Sequence, residues 1–193
     1  MPWIIEYDAV LEQMQKQKLK CNYHNSGAFG FTTGEVRALG WVGPADESIR
    51  PQVRPVTRQV EAPYEANLAR LCTQVWQQHL PGRAWVMPMS HWSYELNFGS
   101  RDWMPALIEN LQLDPGLLEN RNNAAAIEFT MEDAHLFEYF TGRLLEMLLG
   151  SDFMIAFISK PVLCTIHHHK QLWWQTTDTE VFTALDAMVP KAE

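Results

Sequence analysis

The sequence predicts an α+β fold, a mostly antiparallel sheet packed by amphipathic helices, and three observations carry that expectation. The 152–158 stretch is apolar on both faces, with Phe153, Ile155 and Phe157 on one side and Met154, Ala156 and Ile158 on the other. A strand of that kind lies inside a sheet and is covered on both faces. Segments 2–19, 63–80 and 131–149 each place apolar residues at helical spacing. Strand-like and helix-like segments are interspersed without strict alternation, which disfavours a doubly wound parallel sheet.

Residues 2–19 read as the first helix. Pro2 suits a first turn, and Trp3, Tyr7, Val10, Leu11 and Met14 fall on one face. The opposite face, Glu12, Gln13, Lys16 and Gln17, is mixed rather than basic, so this helix is expected on its own sheet and not on a membrane. Segment 21–31 carries the turn residues Asn25, Ser26 and Gly27 between apolar flanks. A further turn at 32–35 and a strand at 36–42 follow, and together these segments suggest a hairpin.

The run 43–63 has neither periodicity and contains Pro44, Pro51, Pro55 and Pro63. Long irregular runs inside compact domains tend to be functional or disordered. Arg50, Arg54 and Arg58 recur along it, and guanidinium forks bind carboxylates or phosphates. This arm, at about 43–62, is therefore a candidate contact element.

The helix over 63–80 shows Tyr64, Leu68, Leu71, Cys72, Val75 and Trp76 at helical spacing, and Pro81-Gly82 stops it. A short strand follows at 85–89. Trp92, Tyr94, Leu96 and Phe98 then alternate with Ser93, Glu95 and Asn97, which predicts a half-buried strand with a polar row of His91, Ser93, Glu95 and Asn97. Asp102 is expected to cap a helix to about 111, and Asp114-Pro115 to open a short helix to 120. A strand at 124–129 precedes the 131–149 helix, which Thr130 caps and Gly150 ends. The turn at 159–161 leads to a strand at 162–167. A second turn at 168–171 leads to a strand at 172–176, and Thr177 with Glu180 reads as the capping box of a last helix.

The chain has 193 residues, 47% hydrophobic and 20% charged. That length and composition suit one globular domain over 1–193. Net charge is −8, concentrated in 61–150, where twelve acidic side chains face five basic ones. Such a surface repels phosphate backbones, so nucleic acid is not an expected partner. Cys21, Cys72 and Cys164 are odd in number and form no CxxC pair, which argues against a disulfide framework or a cysteine zinc site. The N-terminal residues lack a basic stretch followed by an apolar run, no stretch is apolar enough to span a bilayer, and a cytoplasmic protein is expected.

Two sets of residues are candidates for function. His167 and His169 would point the same way on an extended strand and His168 the opposite way. Two such imidazoles can share a divalent metal if a third ligand joins them, and the candidates are His91, Glu95, Glu128, His24 and Asp152, none at a diagnostic spacing to the pair. His91 and Glu95 could also form an acid–base pair. The second set is aromatic. The chain has eight tryptophans, and Trp41, Trp92, Trp173 and Trp174 are, with the arm arginines, candidate binding residues. Polar turns and core tryptophans are the ordinary explanation of each feature taken singly. The leading functional expectation is a non-catalytic binding or protein-interaction module, with a protein partner or a second copy of itself. The alternative is a metal-dependent hydrolase built on the 167–169 histidines.

Overall fold

The computed structural model describes residues 1–19, 21–23, 29–31, 37–43, 56–57, 64–120 and 123–188. The strands are β1 (Trp3–Glu6), β2 (Cys21–Tyr23), β3 (Phe29–Phe31), β4 (Arg37–Gly43), β5 (Val56–Thr57), β6 (Ala84–Pro88), β7 (Ala124–Phe129), β8 (Phe153–Phe157), β9 (Val162–His167) and β10 (Gln171–Thr176). The helices are α1 (Tyr7–Lys16), α2 (Tyr64–His79), α3 (Trp92–Tyr94), α4 (Met104–Asn110), α5 (Pro115–Asn120), α6 (Ala134–Met147) and α7 (Thr179–Met188). A π-helical turn, Glu95–Gly99, continues α3. Among the described residues no helix is long and apolar enough to cross a membrane.

Eight strands form one sheet in the order β1-β7-β6-β8-β9-β10-β4-β5, antiparallel except where β5 runs parallel to β4. The expected α+β class and central 152–176 meander are both present, since β8, β9 and β10 are consecutive and lie inside the sheet. Of the region from 21 to 42 expected to form a hairpin, β2 pairs with β3, whereas β4 pairs with β10 and β5. Most of the 43–62 arm, with Arg50, Arg54 and Arg58, lies outside the described residues. Val56–Thr57 is an exception to the expected lack of structure: it hydrogen-bonds to β4 and so extends the arm's own sheet.

The period-2 pattern of β8 sorts its side chains into two cores. Phe153, Ile155 and Phe157 join Ala84, Val86, Ile127 and Phe129 under the helices α2 and α6. Met154 and Ala156 join Trp85, Met87 and Leu163 under Tyr7, Val10 and Met14 of α1. Each fully buried large apolar side chain contributes about 1.5–3 kcal/mol, so both layers matter to stability. Trp76 meets Phe137 at 4.6 Å between ring centres and couples α2 to α6.

Four expectations need correction, the briefest being that Trp103 and not Asp102 stands at the start of α4, with no side-chain cap. The first helix starts at Tyr7, because Trp3 to Glu6 are drawn into an edge strand against β7, with Ile4 packing toward one core and Ile5 toward the other. β-branched residues at successive positions suit that extended, two-sided packing. The 92–98 segment is helical. His91 Nδ1 accepts the Tyr94 N–H at 3.0 Å and so caps α3, while Trp92, Glu95 and Leu96 turn inward together. The last helix is capped by Asp178, whose Oδ1 accepts the N–H groups of Glu180 and Val181. Those bonds, that of Val181 first, hold the Asp178 carboxyl below its ordinary value. At the start of α6 the cap is as expected: Thr130 and Asp133 form a reciprocal capping box over a single 3-10 turn.

Candidate metal centre

The β9–β10 hairpin decides where the histidines go. His167 pairs with Gln171, so residues 168–170 make a three-residue turn, closed by the Lys170 N–H donating to the His167 carbonyl at 2.8 Å. Lys170 sits at φ +63°, the left-handed position that ends turns of this length. The strand therefore stops at His167, and the alternation that would have sent His168 to the opposite side stops with it. All three imidazoles gather, with one ring nitrogen of each within 4.8 Å of the others.

The rings form a pile. Trp173 lies flat on His167 at 4.7 Å, and His167 stacks on His168 at 4.2 Å. His169 meets both edge-on. Asp152, just before β8, anchors the pile. Its Oδ1 accepts the backbone N–H of His168 at 2.9 Å and lies 2.7 Å from His168 Nδ1. Its Oδ2 is 3.8 Å from His167 Nε2.

These bonds fix which nitrogens carry protons. A carboxylate only accepts, so the His168 proton is on Nδ1 and its lone pair is on Nε2. His167 Nδ1 accepts the His169 backbone N–H at 3.1 Å, so its lone pair is taken there and its proton is on Nε2, facing Asp152. Carboxylate–histidine pairing of the His168 kind orients metal-binding imidazoles and raises their basicity. His167 is buried in the stack, whereas His168 and His169 are partly exposed.

The turn is also tied to α2. Lys170 Nζ bonds Glu65 Oε1 at 2.5 Å and lies 5.5 Å from the centre of the Tyr64 ring. The bond to Glu65 raises the Lys170 ammonium above its ordinary value. Burial pushes the Glu65 carboxyl up, but the bonds it accepts, that from Lys170 first, outweigh it and leave it lowered.

His91 and Glu95 do not join the histidines. His91 is spent on its cap and on a 2.7 Å contact to Ser93 Oγ. Glu95 is fully buried and accepts from three hydroxyls: Ser90 at 2.7 Å, Ser100 at 2.9 Å and Ser151 at 3.0 Å. An alternating strand would have placed both in one polar row; here Glu95 is buried among serines and His91 caps α3. Ser151 precedes Asp152, so the closed Glu95 network and the histidine pile are neighbours along the chain.

Of the tryptophans expected to bind, Trp92 and Trp174 are buried in the core, Trp92 donating to the Ala125 carbonyl and Trp174 stacked on Phe157. Trp173 is the half-buried base of the histidine stack and donates to Gln171 Oε1. Trp41 is opposite Trp173 in the register of β4 and β10. The exposed aromatic pair is a different one, Tyr94 at 43% and Phe98 at 73% exposure, 6.1 Å apart on α3 and its π-helical turn. His168 is the residue that alternation set aside; Asp152, one of the candidate third ligands, is the one that reaches the histidines, through His168, whereas Glu128 is buried against Trp85 and His24 lies outside the described residues. The chain matches no protein-family model, no curated protein and no solved structure.

Proposed function

We propose that this is a binding protein and that the ligand at the β9–β10 turn is a divalent transition-metal ion. The carrying observation is the pairing of His168 Nδ1 with Asp152 at 2.7 Å, which leaves Nε2 as a directed lone pair beside a second partly exposed imidazole. Nitrogen-only donors without thiolate suit zinc, nickel or copper better than magnesium or calcium. A metallohydrolase would need, in addition, a substrate cleft above its ion. Two surface cavities, one between α2 and α6 and one beside Lys16 and Pro161, are lined by residues other than these histidines.

Isothermal titration of the tag-free protein with zinc chloride tests this. Zinc is expected to bind with a Kd near or below about 10 μM, and His168→Ala to weaken binding at least about 100-fold. Equal heats from wild type and variant would sink the proposal.

A second reading, an interaction module for a protein partner, draws support from the exposed Tyr94–Phe98 pair, since exposed aromatics are favoured anchors at interfaces. It is independent of the metal.

A further inference from the structure

We infer that the groove between α2 and α6 binds a small organic cation with an apolar body, an aryl-alkyl ammonium. The site is separate from the histidine turn and uses no metal. The groove encloses about 540 Å³, which lies within the range of small-molecule pockets. Its floor is Ala66 and Ala69 of α2 and Gly142 of α6. Tyr139 lines one side, and its hydroxyl accepts the Asn110 amide of α4 at 3.2 Å.

The floor is kept open by residues that packing does not require. Farther along the same two helices, Trp76 and Phe137 fill the interface, with ring centres 4.6 Å apart. At the groove the facing residues are alanine and glycine. Gly142 lies inside α6, where glycine costs stability relative to alanine. Its backbone is ordinary helix, and a Cβ there would meet the Ala69 Cβ at 3.5 Å, an ordinary contact. Neither the backbone nor the approach of the helices therefore demands a glycine. What it does is leave the floor bare, an apolar surface that gains by being covered.

The charge of the rim selects the ligand. Glu65, Glu138 and Glu146 line the groove with one guanidinium, Arg143, and the His135 imidazole. Arg143 is bonded to Glu146, and Glu65 accepts from Lys170. Glu138 has the loosest partner, Arg70 at 3.8 Å, which is longer than a hydrogen bond. An ammonium group can therefore take Glu138 while its apolar body lies on the floor, beside a tyrosine ring that also favours cations. Both helices belong to the 61–150 segment, where twelve acidic side chains face five basic ones. That field attracts a cation and repels an anion of the same shape.

Amide NMR of the full chain, titrated with three probes of one shape, tests this: phenethylamine, phenethyl alcohol and hydrocinnamate. The amine is expected to shift the amides of Ala66, Ala69 and Gly142 with a Kd near or below about 1 mM. The alcohol and the acid should bind at least about 10-fold more weakly. Glu138→Gln should bring the amine down to the affinity of the alcohol. Ala66→Leu, at an exposed helix position, should fill the floor and abolish binding of the amine. Gly142→Leu should do the same, with circular dichroism checking the fold of each variant. Equal affinity for the three probes, tighter binding of the acid, or unchanged amine binding in a folded Ala66→Leu would overturn the site. No shift at these amides with any probe would overturn it as well. Shifts of the same amides with protein concentration alone would assign the groove to a second copy of the chain and also overturn it.

Discussion

Two polar clusters sit side by side at one end of the sheet, and they differ in what they leave over. Around Glu95 every donor meets an acceptor: three serine hydroxyls close on one fully buried carboxylate. Even the space is filled, since a Cβ at Gly99 would stand 2.9 Å from Glu95 Oε2. Around Asp152 the same kind of carboxylate orients His168 and leaves a lone pair on Nε2, in a partly exposed ring. The contrast separates architecture from a site. A polar network that satisfies itself specifies the fold, whereas one that ends on a directed, accessible lone pair has something to offer a ligand.

The comparison can be broken at three points. The largest effect is expected from Glu95→Ala, which removes the acceptor of three hydroxyls, that of Ser100 buried and those of Ser90 and Ser151 partly buried; it should destabilise by about 2–3 kcal/mol. A lower urea midpoint at unchanged slope is the expected signature, with zinc affinity of the folded fraction unaltered. If stability is unchanged, the network is not what holds the π-helical turn to the start of β8. Next comes Asp152→Asn. The amide can still touch His168 but no longer requires its Nδ1 proton, so zinc affinity should fall about 10–100-fold. Nitrogen-15 NMR of the His168 ring gives a second reading, since the Nδ1–H tautomer should dominate in wild type and not in the variant.

The smallest effect belongs to the tether of the turn. Lys170→Met should cost under about 1 kcal/mol, because the pair is partly solvated. Its pH dependence has a defined sign. The Glu65 carboxyl is lowered, so its contribution is present above the unfolded carboxylate value and is lost as pH falls through the folded one. The Lys170 ammonium is raised, so its contribution is present below the unfolded lysine value and is lost as pH rises through the folded one. The stability difference between wild type and variant should therefore be flat near neutrality and shrink at both extremes. A difference that grows in acid would contradict the assignment of Glu65 as the partner.

Much of the fold was legible from side-chain spacing. The two-faced pattern of Phe153 to Phe157 named the centre of the sheet, and the helical stripes of α2 and α6 named the layer that covers one face. The 92–98 segment misled because Trp92, Tyr94, Leu96 and Phe98 alternate, yet only Trp92 and Leu96 of these are buried. Those two are also compatible with helical spacing, and the choice fell to Glu95, which could be buried only where serines from 90, 100 and 151 converge. The histidines were visible as a cluster, but their directions were not. Alternation predicts that His168 points away, and a turn that ends at a left-handed Lys170 brings it back.

The sequence alone determined the α+β class, the central meander and the hydrophobic layers, because burial of apolar surface follows the periods of strand and helix. The tertiary structure alone decided which histidine accepts a bond within the turn and which is oriented by Asp152. That choice depends on where single protons sit, and here they are set by partners far away in sequence, above all Asp152 against His168. Periodicity carries information about faces; it carries none about which lone pair a distant carboxylate leaves open.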